Sequence, residues 1–254
     1  MKTRTPSVNP LAARTAPAAR GIAWIMDGFR YFQRDWVAWL LVTLLLMAIT
    51  FGSLLLVPAL GYVAAFLLTP VFLGSLMQGL AARDQGRPLA VNDLFTAFQG
   101  PATGQLLLVG LVSLVLNLLA VVGALVFVMF FSGAAFLTGL AQSEDMLAAA
   151  MELTFSIGLL IGLLIYVALL IPITMLVWFA PALVVLEGES ALAAMQHSFV
   201  GCLRNFLPYL VYGLVGLLVF PLLMVVTLGV GFLVLLPVGL ASIYAAHKDI
   251  FHRL

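Results

Sequence analysis

The side chains able to do acid–base, nucleophilic or metal chemistry are few in this chain: three histidines, one cysteine and ten carboxylates among 254 residues. Ser75 and Ser113 lie in apolar runs, where a serine nucleophile needs a base beside it, but His197, His247 and His252 all fall outside those runs. The carboxylates are scattered, and neither a His-Glu-x-x-His pair nor a phosphate-cradling loop occurs, so neither a metal cage nor a nucleotide site is expected. The lone Cys202 excludes an intrachain disulfide and a cysteine-built metal site, and beside Arg204 it reads as a small interfacial residue. No catalytic, cofactor-binding or metal-ligating residue emerges, and the chain reads as a non-enzyme. The most polar group deep in an apolar run is Asn117, whose amide serves either as a hydrogen bond between helices, worth about 1 kcal/mol, or as a substrate contact.

The elements that must position these groups follow from composition. Residues of the AVILMFWYC set make up 64% of the chain and DEKR only 8%, far from the roughly 45–50% and 25% of soluble domains. A water-facing surface cannot be built from so few polar residues; the net charge of +1 says nothing as a total, and a nucleic-acid partner needs a basic patch far denser than these 11 Lys and Arg supply. The expected fold is an all-α integral membrane protein with six transmembrane helices.

Residues 1–20 carry Lys2, Arg4, Arg14 and Arg20, three prolines and no acid, and read as a disordered basic tail. An acid-free, Arg-bearing start also resembles an organelle transit peptide, and a signal peptide is a further alternative. The first apolar run, however, spans 36–57, and its 22 residues cover roughly 33 Å, longer than a cleavable signal core. The remaining spans are placed at about 60–82, 105–131, 155–181, 207–226 and 228–246, with Pro181 ending the regular part of the fourth and Gly229 and Gly231 folding the last two into a hairpin. The membrane domain then covers 21–251, leaving a short tail at 252–254.

This threading puts all 11 Lys and Arg on one side, while the other side holds two tight turns and a 132–154 loop whose charges are Glu144, Asp145 and Glu152. Basic residues are retained in the cytoplasm during insertion, so both termini are expected there. Arg30, Arg34, Arg83, Arg87, Arg204, Lys248 and Arg253 stand next to membrane ends as candidate headgroup contacts. His247 and His252 are expected in a solvated or headgroup-facing tail, and Trp24, Trp36, Trp39, Trp178 and Tyr244 as interfacial anchors.

A unit repeats. Ile22, Ile25, Phe29, Phe32 and Trp36 form one helical apolar stripe; Val91, Leu94, Phe95 and Phe98 a second, started by Asn92 or Asp93; Leu192, Met195, Phe199, Leu203 and Phe206 a third, with Ser190 as its N-cap. Each precedes an odd-numbered span, and each even span carries a proline, Pro70, Pro172 or Pro237, at mid-bilayer depth. Phe29-x-x-Phe32-Gln33 recurs as Phe95-x-x-Phe98-Gln99, and Arg34-Asp35-Trp36 is echoed by Arg204-Asn205-Phe206. The expected architecture is three repeats of amphipathic helix plus helical hairpin, the stripes packing on the bundle beneath a basic rim. The prolines serve as structural kinks or line a central cavity. Gly158-x-x-x-Gly162 offers a packing notch, internal or for dimerisation.

The segments GFRYFQRDWVAWLL, LFTAFQG, WFAPALVVLEGESALAAMQHSFVGCLRNF and PVGLASIYAAHKDIF resemble a family of uncharacterised six-span inner-membrane proteins of proteobacteria. More distantly they are similar to the membrane domain attached to some glycerophosphodiester phosphodiesterases. The resemblance implies a bacterial inner (cytoplasmic) membrane location and carries over no catalytic residue, and the chain shows no soluble domain to house a phosphodiesterase site. The leading expectation is action through membrane lipids or through a membrane-protein partner or homodimer. The alternative is a transporter or exporter of an apolar or zwitterionic small molecule, which needs a hydrated or lipid-open cavity reaching mid-membrane.

Overall fold

In hydrocarbon, an uncharged run of Leu, Val, Ile and Phe satisfies its own N–H and C=O groups by coiling into an α-helix. The computed structural model describes residues 13–139 and 144–251. Its elements are α1 (Arg20–Arg34), α2 (Trp36–Leu56), α3 (Pro58–Asp84), a 3₁₀ helix (Val91–Phe98), α4 (Thr103–Gly139), α5 (Glu144–Val177), α6 (Ala180–Leu186), α7 (Ala191–Arg204), α8 (Phe206–Val226) and α9 (Phe232–Phe251). Among the described residues six helical segments are long and apolar enough to cross a membrane, the fourth running from α5 through α6. Short helix, span and proline-bearing span thus occur three times, with Pro70, Pro172 and Pro237 inside α3, α5 and α9. A further proline, Pro221, sits inside α8.

Several boundaries differ from the sequence expectation. The segment at 132–154 is helical on both sides, α4 running to Gly139 and α5 starting at Glu144. The fourth span breaks at Trp178 and Phe179, where Pro181 sits in the first turn of α6. The Phe179 N–H donates to Ser198 Oγ at 2.9 Å, so the break leaves that donor satisfied. The sixth span begins at Phe232, because Leu228 and Gly229 take left-handed φ values of 51° and 88° and end α8. Ser190 occupies the N-cap position of α7 without a side-chain bond; Gln105 Oε1 accepts the Ala191 N–H instead, at 2.7 Å.

The chain divides into two compact units, one containing the described residues through Leu111 and from Met175 onward, the other Val112–Thr174. In the first, α1 packs on α9, the 3₁₀ helix on α3, and α7 on α6. Every short helix therefore docks on the even span of the preceding repeat, and the first docks on the last. Trp39, Leu76, Met77, Leu80, Leu94 and Tyr244 form the core beneath this collar.

The expected stripes face inward only in part: Leu94 lies in that core and Met195 is buried, but α1 turns another face to its neighbours. In α1 the buried residues are Gly21, Trp24 and Gly28, while Ile22, Phe29 and Trp36 are exposed. Close approach decides this: a Cβ on Gly28 would lie 2.5 Å from the Val238 carbonyl oxygen, so only a glycine face lets α1 sit on α9. The bulky apolar residues are left on the outer flank, although Phe32 still packs against the core. Trp24 and Trp39 are wholly buried rather than interfacial.

In the second unit, Gly158 and Gly162 of α5 face α4. A Cβ on Gly162 would lie 2.5 Å from Val128 Cγ2, which makes the notch an internal packing device. Tyr166 donates its hydroxyl to Asn117 Oδ1 at 3.1 Å, tying α5 to α4 through the buried amide.

Candidate functional site

Polar side chains gather where the short helices meet the span ends, because a carboxylate or guanidinium can be satisfied there but not in hydrocarbon. Asp84, at the end of α3, accepts from Tyr31 Oη at 2.7 Å, Tyr244 Oη at 3.0 Å and Lys248 Nζ at 2.5 Å. Asp249 in α9 accepts from Arg20 Nε at 2.6 Å and from the buried Trp24 indole at 2.7 Å. Burial, then the hydrogen bond to Asp84, pushes the Tyr31 phenol well above its ordinary range, so it remains a donor.

The two helix–span junctions with matching sequence use their polar residue differently. Asp35, between α1 and α2, pairs with Arg83 Nε at 2.5 Å and so ties its junction to the end of its own hairpin. Asn205, between α7 and α8, is spent on the N-terminal segment: its amide donates to the Arg14 carbonyl at 2.8 Å, and its Oδ1 accepts the Ala16 N–H at 2.7 Å. Arg14 N–H also donates to the Ile250 carbonyl at 3.0 Å. The tail expected over 1–20 is thus shorter at its inner end, since these bonds hold residues 13–19 against α7 and α9; residues 1–12 lie outside the described residues.

Candidate headgroup contacts separate into two groups. Arg83 is committed to Asp35, Arg87 to Asp93 at 2.9 Å, and Arg204 reaches the Ala13 carbonyl at 3.3 Å, so these three hold elements together. Arg30 and Arg34 instead line a cavity of about 310 Å³ on one flank of α1, together with Arg20, Asp27 and Asp249; Lys248 also lines it but is committed to Asp84. Arg30 and Arg20 share Asp27, at 2.9 and 3.7 Å, and Arg34 has no carboxylate partner among the described residues. Arg253 and His252 lie outside the described residues.

His247 is fully buried in α9, its ring among Phe179 and Phe251, and not in a solvated tail. Burial raises the Cys202 thiol to about 12, which removes it as a nucleophile at neutral pH. Glu189 is raised by burial, against the opposing effect of His197, whose Nδ1 lies 2.7 Å away. Among the described residues no group of three or more His, Cys, Asp or Glu could hold a metal ion.

A second cavity, about 670 Å³ and apolar, lies between α8 and α9 with Gly213, Gly216 and Gly239 on its walls and Trp178, Tyr212 and Ser242 at its collar end. Sequence reasoning missed it, along with Arg20, Asp84 and Asp249. A signal was present: Pro70-Val71-x-Leu73-Gly74-Ser75 recurs as Pro237-Val238-x-Leu240-Ala241-Ser242, and the same two spans end at those two acids. Both serines are buried and bonded, Ser75 Oγ accepting the Ala97 N–H at 3.0 Å and Ser242 Oγ lying 2.7 Å from Tyr212 Oη.

Six apolar spans and a polar collar define a multi-pass α-helical membrane protein. The chain is 31% identical over 212 residues to a probable inner membrane protein of Burkholderia thailandensis, an alignment covering 78% of this chain and 72% of the relative. It belongs to that protein's family. No family model matches the chain. No solved structure matches it either. Nothing in these comparisons supports the more distant likeness to phosphodiesterase membrane domains.

Proposed function

We propose that the protein is a non-enzymatic inner-membrane component that acts through lipid, with its collar and both termini in the cytoplasm and the α1 cavity taking the phosphate of an anionic headgroup. The observation that carries this reading is the cavity lining: Arg20, Arg30 and Arg34 stand against Asp27 and Asp249, Lys248 is held by Asp84, and Arg34 has no carboxylate partner among the described residues. Near an anionic leaflet each such cation adds about 1 kcal/mol of attraction, and the paired carboxylates hold two of the guanidiniums in place.

The test is native mass spectrometry of the full chain released from nanodiscs containing phosphatidylglycerol or only phosphatidylcholine. Retention of phosphatidylglycerol that falls in Arg30→Gln/Arg34→Gln supports the reading, and equal retention by both proteins overturns it. Orientation is tested separately by reporter fusions. Those after residues 90, 195 and 254 are expected in the cytoplasm, and those after 58, 145 and 229 in the periplasm.

A membrane-protein partner or a second copy of the chain is a further candidate for the outer surface. The transporter reading draws on the α8–α9 cavity. It is weakened at Asn117, whose amide is already engaged by Tyr166. Flux of an apolar dye through proteoliposomes that stops in Asn117→Leu, with unchanged folding, would favour it over the lipid-contact reading.

A further inference from the structure

We infer that the cleft between α8 and α9 is a binding site for one acyl chain of a membrane phospholipid. This deepens the lipid-contact reading but rests on a different surface, the opposite flank of α1 from the basic cavity, so either can fail alone.

The cleft exists because two covalently adjacent spans hardly touch. α8 packs against α1 and only marginally against α9, and its one buried residue is Pro208. Three glycines line the gap, and a Cβ on Gly213, Gly216 or Gly239 would meet no atom within 4 Å. Helical glycines that admit no neighbouring backbone are not explained by packing within the chain, yet each costs about 1 kcal/mol of helix propensity relative to alanine.

The surroundings limit what fills the gap. Leu217 lines the cleft and is also 69% exposed on the outer face of α8, so the cleft is continuous with the lipid interface of that span. Its walls are apolar apart from the Tyr212, Ser242 and Trp178 polar atoms at the collar end, and an apolar slot of this kind does not hold water. An empty slot would forfeit the dispersion contacts of both walls.

Shape distinguishes a chain from a helix. The cleft follows α8 from Tyr212 to Met224, about 18 Å at 1.5 Å per residue, which is close to one leaflet of a roughly 30 Å hydrocarbon core. Spread over that length, 670 Å³ leaves a cross-section of about 37 Å², whereas a helix 10–12 Å across needs about 80–110 Å². A single acyl chain fits inside the cleft, whereas a partner's helix or that of a second copy would lie across its mouth and leave its floor unfilled. The exposed flank Ile22, Met26 and Phe29 continues the apolar surface past Ile25, which itself lines the cleft, and leads the lipid toward the collar.

The experiment uses the full chain in nanodiscs of phosphatidylethanolamine and phosphatidylglycerol, with a fraction of the phosphatidylethanolamine carrying a photoactivatable diazirine on one acyl chain. Adducts are mapped by peptide mass spectrometry. Leu236, half-buried in the cleft, should be labelled at least as strongly as Leu218, which is 71% exposed to bulk lipid. Gly216→Leu/Gly239→Leu fills the cleft from both walls, and labelling at Leu236 should fall about tenfold while Leu218 is unchanged. Should the double variant not fold, Gly239→Phe is read in its place. Failure of both to fold shows that the space is not free and overturns the inference. So does an unlabelled Leu236, undiminished labelling in the variant, or a disulfide-linked dimer through Leu217→Cys in a Cys202→Ala background.

Discussion

The hairpins α2–α3 and α8–α9 are built on one plan and end up closed and open. In the first, Val57 and Pro58 make the turn, the Gly61 N–H donates to the Val57 carbonyl at 2.6 Å, and Gly61 is pressed against the Ser53 carbonyl. In the second, Thr227–Gly231 makes a wider turn and the glycines along the walls face space. The junctions follow the same division: Asp35 clamps its own hairpin through Arg83, while Asn205 holds the N-terminal segment and leaves α8 unclamped. A glycine in an apolar helix therefore has two opposite meanings, contact or vacancy, and only its neighbours tell them apart.

That contrast can be broken most severely at Gly61. Gly61→Leu puts a side chain into the Ser53 backbone and should cost about 3 kcal/mol or more, read as a lowered denaturation midpoint in detergent. The clamp comes next. Asp35 and Arg83 side chains are only 10% and 23% exposed, so Arg83→Ala strands a carboxylate and should cost about 3 kcal/mol. Arg83→Met/Asp35→Leu should recover much of that loss, and a double variant as weak as the single would show that the pair is not the clamp.

A smaller effect belongs to Asn205→Ala, which removes bonds to Arg14 and Ala16 and should cost about 1–2 kcal/mol while opening residues 13–19 to proteolysis. Cys202, one turn before Asn205, reports the same event. With its thiol raised to about 12, the thiolate at pH 8 is about a thousandfold scarcer than in a free cysteine. Alkylation should be slow in the native protein and faster in the variant, as lost burial brings the thiol down. Equal rates would show that the segment does not cover it. The smallest effect is the most telling: Gly216→Ala should leave stability unchanged or raise it by up to about 1 kcal/mol, and a clear loss would close the open hairpin.

The spans were legible because charge-free runs of Trp36–Leu56 length leave few alternatives in a bilayer, and the threefold order was legible because its punctuation, Arg34-Asp35 and Arg204-Asn205, is polar. The facing of α1 was not. Phe29 and Ile22 carry the hydrophobicity, but Gly21 and Gly28 carry the contact, and hydrophobic periodicity assigns no weight to a residue whose value is its absence of a side chain. Trp24 and His247 were misplaced for a related reason. Both are amphipathic groups that suit an interface, and only tertiary packing shows that one is buried with its indole on Asp249 and the other among Phe179 and Phe251. The cleft left no trace in composition, because Gly213, Gly216 and Gly239 look the same whether backbone or vacancy stands opposite.

Docking of α1 on α9 also governs how the chain can be made. The glycine face of α1 leaves the ribosome about 230 residues before α9 is complete, an interval of roughly 10–45 s at 5–20 residues per second. Throughout that interval Gly28 has no α9 backbone to receive it, while Gly21 finds its seat against Pro208 and Tyr212 once α8 is made. The collar therefore closes only when the last span has been inserted with its end on the same side as the first helix. A chain truncated before α9 keeps an open first unit with Trp24 lacking the Asp249 carboxylate. Assembly of this unit therefore carries its own check, written in α1 and in α9 and read when they meet.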